Sequence, residues 1–113
     1  MSRVQPLNTI SELHNFVSAR PFVVLKATVP RYEGDANDRS IFNIVSTEYP
    51  NLSFAEIDLQ RAREFVGMNG GVPAPGSILL FRQSELDEVH PVTARWKDFL
   101  DDFSSYAASR RRY

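Results

Sequence analysis

Runs of consecutive apolar residues alternate along this chain with segments in which apolar residues recur every three or four positions. That is the rhythm of covered strands with amphipathic helices between them. A short extended piece around Val4–Leu7 comes first. Thr9-Ile10-Ser11-Glu12 then fits a capping box, in which a Thr hydroxyl and a Glu carboxylate three residues on satisfy free backbone N–H groups at a helix start. Ile10, Leu13, Phe16 and Val17 supply one apolar face, and Arg20-Pro21 stops the helix, because the residue before proline disfavours the α region. Phe22-Val23-Val24-Leu25 is unbroken apolar sequence, the pattern of a strand covered on both faces and the predicted centre of a sheet.

Thr28 to Asn37 contains Pro30, Gly34 and several polar residues and is predicted to be a loop; Ile41, Phe42, Val45 and Tyr49 then follow a helical period that Pro50-Asn51 breaks. Leu52, Phe54 and Ile57 predict a third strand ending at Asp58, and Ala62, Phe65 and Val66 the buried side of a short helix. Gly70 to Gly76 is a dense turn segment, followed by the strand Ile78-Leu79-Leu80-Phe81, a hairpin turn at Glu85 to Asp87 and a fifth strand from Val89 to Val92. Trp96, Phe99, Leu100, Phe103, Tyr106 and Ala107 form one stripe of a final helix. Early alternation with a late hairpin implies an α/β domain, a mixed sheet of about five strands with about four helices on its two faces. The expected organisation is one domain over 1–109 and a short basic tail over 110–113.

With 42% hydrophobic and 24% charged residues in 113, the composition is that of an ordinary globular chain. Thirteen Lys and Arg against fourteen Asp and Glu give no global field to gather nucleic acid or hold the chain on an anionic membrane. No signal-peptide-like run is seen, and no apolar stretch approaches the roughly 20 residues of a bilayer span, so a soluble, cytoplasmic protein is expected. The absence of cysteine has the sharpest consequence: disulfides, thiolate nucleophiles, thiolate metal sites and iron–sulfur clusters are all excluded. His14 and His90 lack neighbours at metal-ligand spacing, and no metal or other cofactor is expected. Glu33, Asp35 and Asp38 form an acidic cluster without the further ligands of a calcium loop. The glycines do not form a phosphate loop.

Several stretches resemble the thioredoxin family in order and spacing. Phe22 to Val29 is similar to the family's apolar strand running into Phe-Trp-Ala-Thr-Trp, with Leu25, Ala27 and Thr28 in register. Glu48 to Ala55 is similar to its helix end and third strand, Asp58 falls where that strand ends in Asp, and Ser77 to Glu85 resembles its Thr-apolar-apolar-apolar-Phe-Lys-x-Gly-Glu hairpin. The resemblance covers nearly the whole chain and implies the thioredoxin fold. The departures fall where the family's chemistry lies. Val29-Pro30-Arg31-Tyr32-Glu33 stands in place of Trp-Cys-Gly-Pro-Cys, so Pro30 and Glu33 occupy the two cysteine positions, and the family's buried carboxylate falls at Val24. The family's cis-proline position aligns with Gly76, one residue after Pro75.

Two functional expectations follow. In the first, the chain is a redox-inactive interaction, scaffold or chaperone-like module, not a dithiol–disulfide oxidoreductase. A protein or peptide partner, or a second copy, would dock at the edge formed by Val29, Pro30, Arg31, Tyr32, Pro75 and Gly76. In the alternative, an enzyme or ligand-binding protein reuses the groove for a small molecule, with Tyr32 and Glu33 as candidate acid–base groups; a closed apolar pocket holding Glu33 would favour it.

Overall fold

In a computed structural model the described residues are 4–28, 35–67, 77–83, 85–90 and 96–110, with the side chains of 35–39, 66–67, 96–97 and 108–110 left aside. The elements in chain order are β1 (Val4–Pro6), α1 (Ile10–Ala19), β2 (Phe22–Thr28), α2 (Asp35–Ser46), β3 (Ser53–Asp58), α3 (Leu59–Gly67), β4 (Ile78–Arg82), β5 (Glu85–His90) and α4 (Trp96–Arg110). They build one mixed sheet in the order β1-β3-β2-β4-β5. β3 runs parallel to both β1 and β2, whereas β4 is antiparallel to β2 and β5 to β4. The predicted α/β architecture, with its mixed sheet and helices on both faces, is the one observed.

Thr9 is the N-cap of α1, its Oγ1 accepting from the Glu12 amide at 3.0 Å, and extended Arg20 ends that helix before Pro21. Every residue of β2 is buried, as the apolar run predicts for the strand at the middle of the sheet. One core cluster joins Leu13, Phe16 and Val17 of α1 to Leu59 and Ala62 of α3 against Val23, Leu25, Leu79 and Phe81. The other joins Phe42 of α2 to Leu100, Phe103 and Ala107 of α4 against Phe22, Val24, Phe54, Ile78 and Leu80. Alternation along β2 sends successive side chains to opposite clusters.

Three sequence expectations are corrected. α2 begins at Asp35, inside the predicted loop, because Asp and Asn serve a helix's first turn as readily as they serve a turn. The helix also stops earlier than the period implied: it ends at Ser46, Tyr49 lies in the turn beyond it, and Ile41 is exposed rather than buried. Ser46 and Thr47 donate their hydroxyls to the Asn43 and Ile44 carbonyls, both at 2.7 Å, drawing the chain out of the helix. Finally, Glu85 to Asp87 are strand residues, not a turn. The reversal falls at Gln83, in the left-handed region with φ 55°, whose amide donates to the Pro21 carbonyl at 2.8 Å. Three acidic residues in a row of four read as turn chemistry, yet on an exposed edge strand they stay in water, and the register shift opposite Leu80/Phe81 absorbs an extra residue. The end of the predicted fifth strand, Pro91 and Val92, lies outside the described residues. α4 continues to Arg110, one residue into the predicted tail.

Candidate functional site

The site expected from sequence lies on two chain segments that are themselves outside the described residues: Val29, Pro30, Arg31, Tyr32 and Glu33 on one, Pro75 and Gly76 on the other. The residues bordering those segments are placed. The Ala27 amide donates to the Ser77 carbonyl at 3.0 Å, joining the last residues of β2 to the residue that opens β4. Thr28 and Ser77 are both buried. Thr28 Oγ1 donates to the Ile57 carbonyl at 3.3 Å, tying the same end of β2 to β3. Asp58, the next residue of β3, caps α3: its Oδ1 accepts from the Arg61 amide at 3.0 Å and its Oδ2 meets Arg61 Nη1 at 3.1 Å. The end of β2, the end of β3 and the beginning of β4 therefore form one built rim.

Beneath that rim is a residue the sequence reading overlooked. Lys26 is fully buried, at 0% exposure, and is the one charged side chain among the largest buried ones of the described residues. It pairs in register with Glu56 of β3 and Ile78 of β4 and shares the α2/α4 side of the sheet with Val24. Burying an ammonium without partners is costly, and no buried side-chain nitrogen or oxygen among the described residues lacks a hydrogen-bond partner. The signal was present as the one charged residue in an otherwise covered strand. Val24, at the position where the resemblance places a buried carboxylate, is fully buried among Phe22, Phe42, Phe54 and Leu80. It offers no proton.

Several other described polar groups are engaged structurally. The Tyr49 hydroxyl donates to Asp101 Oδ1 at 2.7 Å, and burial, reinforced by that bond and by the Asp101 charge, pushes its pKa well above the ordinary tyrosine range. His90 lies flat against Phe99, centroids 3.8 Å apart, with Nε2 3.2 Å from Glu88 Oε1. His14 is exposed on α1. Among the described residues no group of three His, Cys, Asp or Glu side chains could hold a metal ion. Three shallow depressions, the largest about 400 Å³, gather around Arg20 at the opposite end of β2, with polar neighbours such as Gln5, Asn15 and Gln83. Arg20 itself stacks its guanidinium 4.0 Å above the Phe16 ring. These depressions are not the closed apolar pocket that the small-molecule alternative calls for, and Glu33 lies outside the described residues.

Comparison with solved structures places this geometry. A thioredoxin from Plasmodium falciparum in its oxidised form superposes on 92% of this chain and 98% of its own with a TM-score of 0.73 at 13% identity. One from Halobacterium salinarum covers 95% of both chains with a TM-score of 0.73 at 18% identity, and spinach chloroplast thioredoxin f covers 90% of this chain and 91% of its own with a TM-score of 0.73 at 14% identity. No family model matches the sequence, and no curated protein matches it. The chain thus has the thioredoxin fold. With no cysteine anywhere in its 113 residues, it cannot carry out the dithiol–disulfide exchange that fold commonly houses. Among the described residues no helix is long and apolar enough to cross a membrane.

Proposed function

We propose that this protein is a redox-inactive binding module that docks an extended peptide or a partner protein on the rim above Lys26, through Val29, Pro30, Arg31, Tyr32, Pro75 and Gly76. The observation that carries this reading is the joint between Ala27 and Ser77. The framework that presents both segments at one end of the sheet is kept, while the thiols and the buried carboxylate are gone. Selection for chemistry no longer explains that framework, whereas presentation of two chain segments at a rigid sheet end does. Val29, Pro30 and Tyr32 are the apolar and aromatic residue types that anchor peptides.

Affinity capture from native extract with the intact chain beside a Pro30→Asp/Tyr32→Ala variant tests it. A protein retained by the wild type and lost by the variant, with unchanged melting temperatures, is the expected result. Retention by both, or recovery of a small molecule that raises the melting temperature in place of a protein, overturns it; the second result moves the small-molecule reading ahead, with Glu33 and Tyr32 as the groups to mutate.

A further inference from the structure

β5 is the edge of the sheet at the side away from β1 and, among the described residues, pairs only with β4. Its outer backbone donors and acceptors therefore face away from the sheet over six residues, about 20 Å at about 3.3 Å per residue. None of the four described helices closes this edge: Glu85, Asp87, Glu88 and Val89 are all exposed, Val89 at 43%. Such an edge invites a further strand.

The side chains say which strand. The pairs Ile78 with His90 and Leu80 with Glu88 put His90 and Glu88 on the α4 side, and Glu85 opposite Arg82 lies on that side too. Asp87, at the register shift, reaches Arg82 Nη2 at 3.7 Å. On the other side stand Leu86, packed against the core beside Phe81, and exposed Val89 opposite Leu79. One side of the edge is thus carboxylate and the other aliphatic. Two copies of β5 laid antiparallel would set carboxylates against carboxylates, which is destabilising for directly opposed like charges, so a second copy is a poor occupant. A strand with Lys or Arg at alternate positions and Val or Ile between them matches both sides.

We propose that β5 is a docking edge for a basic, alternating extended segment of a partner protein, which adds a sixth strand to the sheet beyond β5. It stands independently of the rim above Lys26, because β5 and its carboxylates form a different boundary of the sheet. Backbone hydrogen bonds supply the pairing, and the Glu85, Asp87 and Glu88 carboxylates select the sign of the partner.

The full chain, labelled with ¹⁵N, is titrated with acetyl-Val-Lys-Val-Lys-Val-Lys-amide, with the same peptide carrying Glu for Lys, and with a Lys peptide N-methylated at alternate residues. The expected result is shifts and slowed hydrogen exchange concentrated at Glu85 to His90 with the Lys peptide, binding weaker by about tenfold for the Glu peptide and the N-methylated one. A Glu85→Lys/Glu88→Lys variant reverses the preference between Lys and Glu peptides; Glu85→Gln/Glu88→Gln, a milder change, abolishes it. Equal binding of the N-methylated peptide reduces the effect to diffuse electrostatics and overturns the proposal. So do shifts centred on Thr28 and Ser77, self-association in place of peptide binding, or no response at any peptide concentration.

Discussion

A tyrosine buried against a carboxylate decides how this protein responds to alkali. Tyr49 is 5% exposed and donates its hydroxyl to Asp101. Burial and then that bond raise its pKa above the ordinary value of about 10. The folded chain therefore holds the phenolic proton more tightly than the unfolded chain does. Below about pH 10 both states carry the proton and the stabilisation is whole; above it the unfolded chain releases the proton while the folded chain keeps it, so stability falls as pH rises, by at most about 1.4 kcal/mol per unit. Tyr49→Phe removes the titration along with the hydrogen bond. Urea denaturation from pH 7 to 11 is expected to show wild type ahead by about 1 kcal/mol through neutral pH, with the gap closing above about pH 10. A gap that stays constant across that range would exclude Tyr49 as the titrating group. Lys26 teaches the complementary lesson at this scale: a charged residue inside a strand otherwise apolar was legible in the sequence as an anomaly, but its interior position depends on which strands flank β2, and that is not written locally.

At the scale of elements, local chemistry was readable where one rule acted alone. The Thr9 cap, the Pro21 stop and the buried run of β2 follow from neighbouring residues and are found where expected. Where two rules competed, the reading went astray. Glu85-Leu86-Asp87-Glu88 has turn-like composition and low strand propensity, yet it forms β5 because Gln83 reverses the chain one step earlier and the sheet edge leaves the carboxylates in water. Gln83 adopts φ 55°, a conformation that costs a residue with a Cβ roughly 1–2 kcal/mol and a glycine almost nothing. Against that relief stands the greater freedom of glycine in the unfolded chain, worth about 0.5–1 kcal/mol. Gln83→Gly is accordingly expected to raise stability by about 0.5–1 kcal/mol, read as a higher denaturation midpoint with unchanged slope. A loss of stability would show that the Gln83 side chain, and not the backbone turn, holds the hairpin. The expected site was legible only through a resemblance: Pro30 and Glu33 were located by counting from Ala27, and the fold describes the residues that border that segment, Ala27, Thr28 and Ser77.

The whole molecule is two core clusters pressed on opposite faces of one sheet, and β2 belongs to both. Leu13 of α1 lies in one cluster and Leu100 of α4 in the other, each at 0% exposure. If the faces were independent, losing one would leave the other standing. They are not, because Val23 and Val24 are neighbours on one strand serving opposite sides, and the pairing of β2 with β3 and β4 is shared by both. Disrupting either face loosens the strand on which the other is built. Leu13→Ala and Leu100→Ala are each expected to cost about 2–5 kcal/mol through lost burial and the cavity left behind, and their effects are expected to add within about 0.5 kcal/mol because the two side chains lie in separate clusters on opposite faces of the sheet. Each variant is expected to unfold in a single step, far-ultraviolet circular dichroism and intrinsic fluorescence giving coincident transitions. Since α4 carries the protein's one tryptophan, Trp96, the fluorescence reports on the helix that also carries Leu100. In Leu13→Ala it must therefore move together with the circular dichroism of the whole fold. Separation of the two curves in that variant would mean that the α1/α3 face can open while the α2/α4 face remains folded, and the sheet would then be a boundary between two cooperative units instead of the centre of one.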